Sequence, residues 1–257
     1  MGIINITPDS FYDGGKHNTI DTALSAAEKH LNEGAHFIDV GGYSSRPGAD
    51  NIDEKTELGR VIPVIEALNK QFPESLISID TFRGQVAKES LAAGACMIND
   101  ISAFNLDKKM LEIIKEQQVP YVLMHMKGSP KTMQQNTSYE NIVKELLFYF
   151  SEKLRTLKAH GVNDVLIDPG FGFGKSTEQN YKLLGALNEF KLHRCPIIVG
   201  ISRKSMIYKA LKTSSLNSIN GTTALHMKAL QNGANILRVH DVKEAAECIK
   251  LHQLTNA

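Results

Sequence analysis

Short apolar runs alternate with longer amphipathic segments along the whole chain. The short runs are rich in Ile and Val and have the length of buried strands, and in each following segment the apolar residues recur with helical spacing. The pattern predicts eight pairs of strand and helix. The predicted strands are residues 2–7, 37–42, 76–81, 97–102, 121–126, 165–170, 197–202 and 236–241, and the predicted helices are residues 19–34, 53–72, 84–94, 107–118, 139–160, 176–190, 221–233 and 243–254.

Capping signals support these boundaries. Residues 176–179 (Ser-Thr-Glu-Gln) match a capping box, and four glycines stand where a left-handed residue ends a helix. Strict alternation predicts a parallel sheet, and eight units favour a closed (β/α)8 TIM barrel with long loops after its first and second strands. Because no linker or low-complexity segment interrupts the pattern, residues 1–257 are predicted to form one barrel domain. The four glycines are Gly34, Gly94, Gly161 and Gly233.

Charge and composition narrow the class of partner. The chain has 29 Lys and Arg against 28 Asp and Glu, so its net charge of +1 argues against nucleic acid or an anionic membrane as partner and favours small molecules. No apolar run approaches the roughly 18 residues that a membrane span needs, and no secretory signal opens the chain, so a cytoplasmic protein is predicted. Cys96, Cys195 and Cys248 lack disulfide or zinc spacing and are interpreted as reduced thiols.

Polar residues end nearly every predicted strand. In a barrel of this class the carboxyl ends of the strands form the active site. A polar group inside an apolar strand costs about 1–3 kcal/mol unless its hydrogen bonds are met, so convergence of these residues predicts a functional site at this rim. The residues are Asn5, Asp80, Asn99, Asp100, His125, Asp168, Ser202, Arg203, Lys204, Ser205, Arg238 and His240.

Several of these residues also have ordinary structural interpretations. Asp80 alone would serve equally well as a helix cap, and Asn99 with Asp100 would close a turn. His125 is interpreted as a packed core histidine and is left out of the site. Arg203 alone would pair with a surface carboxylate.

The strand-end residues suggest a ligand with a phosphate and a nitrogen-rich ring. Arg238 and His240 are two apart on a strand, so they face one side and could clamp a diphosphate. Two carboxylates and an amide, which end three different strands, suit the donor-rich edge of a pterin ring. Lys204 could complete the contact with this ring. The alternative is that Lys204 forms a Schiff base with a substrate. The three acceptor residues are Asp80, Asn99 and Asp168.

Nine motifs in order resemble the dihydropteroate synthase family over nearly the whole chain. The motifs lie on the predicted strands and on the loops that follow them. They are residues 1–11 with 13–15, 45–48, 78–81, 99–100, 123–126, 168–175, 202–205 and 238–241.

The resemblance implies that the chain joins a pterin diphosphate to p-aminobenzoate and releases pyrophosphate with the help of Mg²⁺. It implies that Asn5 holds the metal and pyrophosphate, that Arg238 and His240 bind the phosphates, and that the three acceptors with Lys204 bind the pterin. It also implies homodimers and sulfonamide inhibition at the p-aminobenzoate pocket. That pocket would be shaped by Phe11, Ser45, Pro47, Phe173 and Ser205, with loop closure through Asp13 and Arg46.

Two departures and three alternatives accompany this resemblance. Tyr43 and Ser45 stand where many relatives have Glu and Thr, and relatives usually carry residues before the first strand that are missing here, with effects expected at the barrel floor. The alternatives are a corrinoid-linked methyltransferase, a Schiff-base aldolase using Lys204, and an inactive pterin-binding module.

Overall fold

Eight parallel strands alternate with nine α-helices in the residues that the computed structural model describes, which are 1–7, 16–44, 52–135 and 137–255. The strands are β1 (Gly2–Asn5), β2 (Phe37–Gly41), β3 (Leu76–Asp80), β4 (Met97–Asp100), β5 (Tyr121–Met124), β6 (Val165–Asp168), β7 (Ile198–Val199) and β8 (Ile236–Leu237). The helices are α1 (Lys16–Asn32), α2 (Glu54–Gln71), α3 (Gly84–Ala92), α4 (Lys109–Gln117), α5 (Ile142–Ala159), α6 (Thr177–Gly185), α7 (Ser205–Ala210), α8 (Ile219–Gln231) and α9 (Val242–Thr255).

The strands close into the predicted barrel. Strands β1 to β6 pair in sequence order, and β7 pairs with β8. Two bridges join these sheets: the Ile167 amide donates to the Pro196 carbonyl at 2.9 Å, and the Ile3 amide donates to the Val239 carbonyl at 3.0 Å. The eighth strand therefore returns to the first, and the (β/α)8 prediction is confirmed.

A small apolar cluster fills the barrel below its polar rim. It includes Met97, Leu166 and Ile198, with Phe37 and Ile236 packed against them. Side chains two apart on a strand share a face, so the polar residues at positions 39, 99, 168 and 238 stand one layer above this cluster. The larger core lies between the strands and helices and includes Ile38, Ile77 and Ile79, all fully buried.

The chain leaves the strand ladder earlier than its apolar pattern predicts. The predicted strands 76–81 and 165–170 end at Asp80 and Asp168, because the last residues turn into the rim loops. The predicted helix 176–190 is divided into α6 and a 3-10 helix at Leu187–His193. Helix α7 was not predicted, since six residues are too few to show a helical period.

The predicted capping signals are confirmed. Ser176 and Gln179 form the reciprocal hydrogen bonds of a capping box at the start of α6. The four predicted cap glycines have φ angles between 78° and 118°. No helix within the described ranges is both long enough and apolar enough to cross a membrane.

Candidate active site

Arg238 lies at the centre of the polar layer and joins two strand ends. Its Nε donates to Oδ2 of Asp39 at 2.6 Å, and its Nη2 donates to Oδ2 of Asp80 at 2.6 Å. Asn99 donates from Nδ2 to the same Asp39 oxygen at 3.1 Å. The structure thus brings together three residues predicted from the sequence, Asp80, Asn99 and Arg238, and adds Asp39.

Asp39 is the functional residue that the sequence analysis missed. It lies inside the apolar run of β2, two residues before the strand ends at Gly41. Its side chain is fully buried, with the guanidinium of Arg238 as its charged partner. A carboxylate within a run of Ile and Val costs free energy unless it is paired. Its presence in β2 was therefore the feature of the sequence that indicated a buried charged partner.

Burial sets the protonation of this group. It raises the pKa of Asp80 to about 7, although the charge of Arg238 opposes the shift. Burial alone would lower the pKa of Arg238, but Asp39 and Asp80 together raise it above its ordinary value. Arg238 therefore remains a cation across the physiological range, while Asp80 can gain a proton near neutrality.

Lys204 and Asp168 form a second part of the rim. Lys204 donates from Nζ to the carbonyl oxygen of Phe171 at 2.6 Å and lies 4.7 Å from the ring centre of Phe173. Burial lowers the pKa of Lys204 to about 8, with Asp168 acting in the opposite direction. Burial also raises the pKa of Asp168, whose Oδ1 accepts the Gly170 amide at 2.7 Å.

Asn5 lies at the rim close to Asp80. Asn5 and Asp80 both pair in register with Gly41, on either side of it. A Cβ at Gly41 would stand 3.6 Å from Oδ1 of Asn5 and 3.7 Å from Oδ2 of Asp80. Because glycine has no Cβ, Oδ1 of Asn5 and Oδ2 of Asp80 face the same space.

The remaining predicted residues at the rim follow β7 and β8. His240 is exposed, and its Nδ1 lies 3.2 Å from Oγ of Ser202. Ser205 is half-buried at the start of α7, directly after Lys204. Phe173 packs against a cluster that contains Met124, Met126 and Met133.

Tyr43 lies at the start of the second loop. The ring of Tyr43 meets that of Phe82 edge to face at 5.1 Å, and the Arg83 guanidinium lies 5.5 Å from the Tyr43 ring centre. Tyr43 is thus packed against the loop after β3. The predicted residues Phe11, Asp13, Ser45, Arg46 and Pro47 lie outside the described residues.

Asp80 does not act as a helix cap. Helix α3 begins after Arg83, and its first amide, that of Gly84, donates to Oδ2 of Asp107 at 2.8 Å. Asp100, in contrast, closes the turn after β4 by accepting the amides of Ser102 and Phe104 at 2.7 Å each. The two carboxylates therefore have separate roles.

The structural interpretations of His125 and Arg203 are confirmed. His125 is buried and meets the Tyr149 ring edge to face at 4.7 Å. Arg203 forms a bidentate salt bridge with Asp241, in which Nε donates to Oδ2 at 2.8 Å and Nη2 donates to Oδ1 at 2.7 Å.

The oxygen donors at the rim suit a metal ion that is held mainly by phosphate oxygens and water. Among the described residues, no group of three or more His, Cys, Asp or Glu side chains is arranged to bind a metal ion. Asn5 offers one hard oxygen, which is the kind of donor that Mg²⁺ takes when phosphate oxygens and water complete its shell. The residues present therefore fit a metal that arrives with a diphosphate.

Comparison with known proteins identifies what the chain resembles. Residues 1–240 match the family described as pterin binding enzymes. The chain is 44% identical over 257 residues to the dihydropteroate synthase of Escherichia coli strain K12, covering 99% of this chain and 90% of that protein.

Solved structures resemble the chain equally broadly. The Yersinia pestis dihydropteroate synthase in a sulfonamide drug complex has a TM-score of 0.93 at 42% identity, with 99% of this chain and 93% of that chain covered. The Xanthomonas albilineans dihydropteroate synthase in complex with 7,8-dihydropteroate has a TM-score of 0.90 at 37% identity, with 100% and 92% covered. The similarity spans the whole barrel instead of a single motif.

Proposed function

The chain belongs to the family of pterin binding enzymes, and on that premise we propose that it catalyses the dihydropteroate synthase reaction. In this reaction 6-hydroxymethyl-7,8-dihydropterin diphosphate and p-aminobenzoate give 7,8-dihydropteroate and pyrophosphate. The observation that carries the proposal is the layer of Asp80, Asn99 and Arg238 at the mouth of the barrel, with Asp168 and Lys204 beside it. The related X. albilineans enzyme, solved with 7,8-dihydropteroate, supports the same product.

The pterin would occupy the buried part of the rim. Asn99 and Asp168 are only 4% and 6% exposed, so a bound ring would meet them away from water. Asp80 and Asp168 would accept from the amino and ring N–H groups, and Lys204 would donate to a carbonyl or ring nitrogen. A ring that lacked these groups would leave the buried acceptors of Asp80 and Asp168 and the ammonium of Lys204 without partners, which makes such a site selective.

The diphosphate would lie toward the open side of this layer. Arg238 supplies a fixed cation, and the exposed His240 supplies a second donor. Asn5 would hold Mg²⁺, which when bound neutralises charge on the diphosphate oxygens. We assign catalytic roles to Asn5, Lys204, Arg238 and His240, together with Asp13 and Arg46 from the loops.

The reaction exchanges one bond at the pterin methylene carbon. The carbon–oxygen bond to the diphosphate breaks and its electron pair leaves with the oxygen, while the arylamine nitrogen forms the new carbon–nitrogen bond and then loses a proton. Arg238 would stabilise the charge that grows on the leaving oxygen, as a fixed donor that needs no rearrangement. An arylamine is neutral at pH 7, so no strong base is required.

The p-aminobenzoate pocket would lie beside Lys204. The ring of Phe173, below the Lys204 ammonium, and the nearby Ser205 would form its described walls, with Phe11, Ser45 and Pro47 completing it. Sulfonamides would compete for this pocket. The sulfonamide complex of the related Y. pestis enzyme supports that expectation.

We further propose a cytoplasmic homodimer. The homodimer follows from the resemblance to the dihydropteroate synthase family, and the exposed side chains of Leu192, Leu211 and Leu216, at 75%, 56% and 79%, would be available to a second copy. The three cysteines are free thiols, which suits a reducing compartment. Sedimentation of the purified protein at twice the monomer mass would support the dimer, and a single monomeric species would contradict it.

Mass spectrometry of the reaction products tests the proposed function. Purified protein with Mg²⁺ and both substrates is expected to form 7,8-dihydropteroate. Binding of pterin diphosphate without product would favour the inactive module, and binding of methyltetrahydrofolate would favour the methyltransferase. Borohydride trapping of a substrate on Lys204 would favour the aldolase.

A further inference from the structure

The segment between β6 and α6, residues 168–175, alternates glycine with larger residues and folds back on itself. Gly170, Gly172 and Gly174 all have left-handed backbone, with φ angles of 69°, 84° and 64°. At Gly170 a Cβ would stand only 2.0 Å from the carbonyl oxygen of His125, so no side chain fits. Because glycine loses more conformational freedom on folding than other residues, such a segment depends on outside contacts to keep one conformation.

Lys175 supplies those contacts from inside the protein. Its Nζ lies 2.9 Å from the carbonyl oxygens of both Gly170 and Phe173, and 3.2 Å from that of His125. Its fourth neighbour is Nδ1 of His125 at 3.0 Å. Lys175 is only 3% exposed, and burial lowers its pKa while the charge of Asp168 raises it. The three carbonyl oxygens that accept from Nζ favour the protonated form.

His125 acts as a neutral partner of this ammonium. Burial, reinforced by the charge of Lys175, lowers the pKa of His125 to about 2. An uncharged ring that receives a proton at Nδ1 carries its own proton on Nε2. One ammonium group therefore ties the end of β5 to the segment that follows β6.

The same segment contacts both proposed substrate pockets. The carbonyl oxygen of Phe171 accepts Lys204 at 2.6 Å, and the Phe173 ring lies below the Lys204 ammonium at 4.7 Å. Lys175 holds the carbonyl of Gly170, which directly precedes Phe171, and the carbonyl of Phe173 itself. A shift of the segment would therefore move Phe173, a wall of the p-aminobenzoate pocket. It would also move the carbonyl of Phe171, which holds the pterin ligand Lys204.

We propose that Lys175 is a positioning residue whose buried ammonium fixes segment 170–174, so that Phe173 walls the p-aminobenzoate pocket and Lys204 is directed toward the pterin. This inference rests on the proposed roles of Phe173 and Lys204. Lys175 acts through these residues, and the pterin keeps its contacts on the strands β3, β4 and β6. Loss of the ammonium should therefore affect p-aminobenzoate more than pterin.

Lys175→Met tests the proposal, because methionine keeps most of the volume and removes the charge. Lys158→Met, at an exposed lysine of α5, is the matched control. We expect Lys175→Met to raise the KM for p-aminobenzoate about tenfold, which corresponds to about 1.4 kcal/mol of lost contact with the Phe173 ring. The Kd for pterin diphosphate should rise less than this KM, because Asp80, Asn99 and Asp168 hold the pterin from the strands and only its contact with Lys204 is disturbed. Hydrogen exchange at the amides of 170–174 should become faster, and the control should match the wild type throughout.

An unchanged KM for p-aminobenzoate in folded Lys175→Met would overturn the proposal. Should this variant not fold, His125→Leu and His125→Asn decide, because asparagine retains an acceptor near Nδ1 and leucine does not. A larger KM for the leucine variant supports the positioning role, and equal values contradict it. If the wild type forms no dihydropteroate, the proposed function fails. In that case hydrogen exchange still tests the positioning role of Lys175. Equal exchange rates at the amides of 170–174 in the wild type and in Lys175→Met would contradict it.

Discussion

Asp39 holds Arg238 across the mouth of the barrel, with Oδ2 of the carboxylate 2.6 Å from Nε of the guanidinium. The same oxygen accepts Nδ2 of Asn99 at 3.1 Å. Arg238 is the proposed ligand of the diphosphate, and Asn99 is a proposed ligand of the pterin. One fully buried carboxylate therefore fixes a residue of each subsite relative to the other.

Replacing Asp39 should disturb turnover without removing any proposed substrate contact. Asp39→Asn keeps the shape but loses the charge that orients Arg238, and a hydrogen bond to a charged group contributes about 1.5–3 kcal/mol. We expect kcat to fall about tenfold and the free energy of unfolding in urea to fall by about 1–3 kcal/mol. Asp164→Asn, at an exposed carboxylate, is the control. Wild-type kcat in a folded Asp39→Asn would exclude an orienting role.

Arg238 should be needed for bond breaking. Arg238→Ala removes the fixed cation next to the leaving oxygen, and loss of a single donor of this kind costs about 10²–10³ in kcat. Steady-state rates of pyrophosphate release measure the effect. Arg155→Ala, which removes an exposed guanidinium on α5, should leave the rate unchanged. Comparable rates for wild type and Arg238→Ala would remove Arg238 from the mechanism.

Asp168 should contribute to pterin affinity. Asp168→Asn keeps an oxygen for the Gly170 amide but replaces an acceptor of the pterin with a donor. Binding should weaken by about 1–3 kcal/mol, which is the cost of an unmatched buried hydrogen bond. Calorimetry with pterin diphosphate measures this loss, and unchanged affinity would place the ring elsewhere.

Binding of the pterin should have a maximum between about pH 7 and 8. Asp80, whose pKa burial raises to about 7, gains a proton below that pH and loses its charge as an acceptor. Lys204, whose pKa burial lowers to about 8, loses its proton above that pH and with it a donor. Affinity should therefore fall on both sides of this window.

A dihydropterin alcohol without the diphosphate is the probe for this window, because its binding does not include phosphate titration. Calorimetry from about pH 5 to 10 spans both groups. Asp80→Asn should flatten the acid side and Lys204→Met the alkaline side. A flat profile in the wild type would show that neither group titrates in contact with the ring.

The barrel and most of its polar rim could be predicted from the sequence. Apolar runs and helical periods set the order of elements, and polar residues such as Asp80 and Asn99 mark where strands reach the mouth. The ends of strands were harder to predict, because an apolar run does not show where the chain leaves the ladder. Helix α7 is too short to give a periodic signal.

Contacts between distant residues explain what the sequence did not reveal. Asp39 lies within an apolar run, and its partner Arg238 is 199 positions away. Lys175 was matched as part of a motif, but three of its partners are backbone carbonyls, which carry no mark in the sequence. Its burial and its link to Lys204 became visible only in the folded chain.

Pyrophosphate release by the purified wild-type protein is the most direct test of the central claim. The assay contains Mg²⁺, the pterin diphosphate and p-aminobenzoate, with parallel samples that each lack one component. The proposed function predicts release only when all components are present, together with formation of dihydropteroate. Absence of release in the complete mixture, or release that does not depend on p-aminobenzoate, would contradict it.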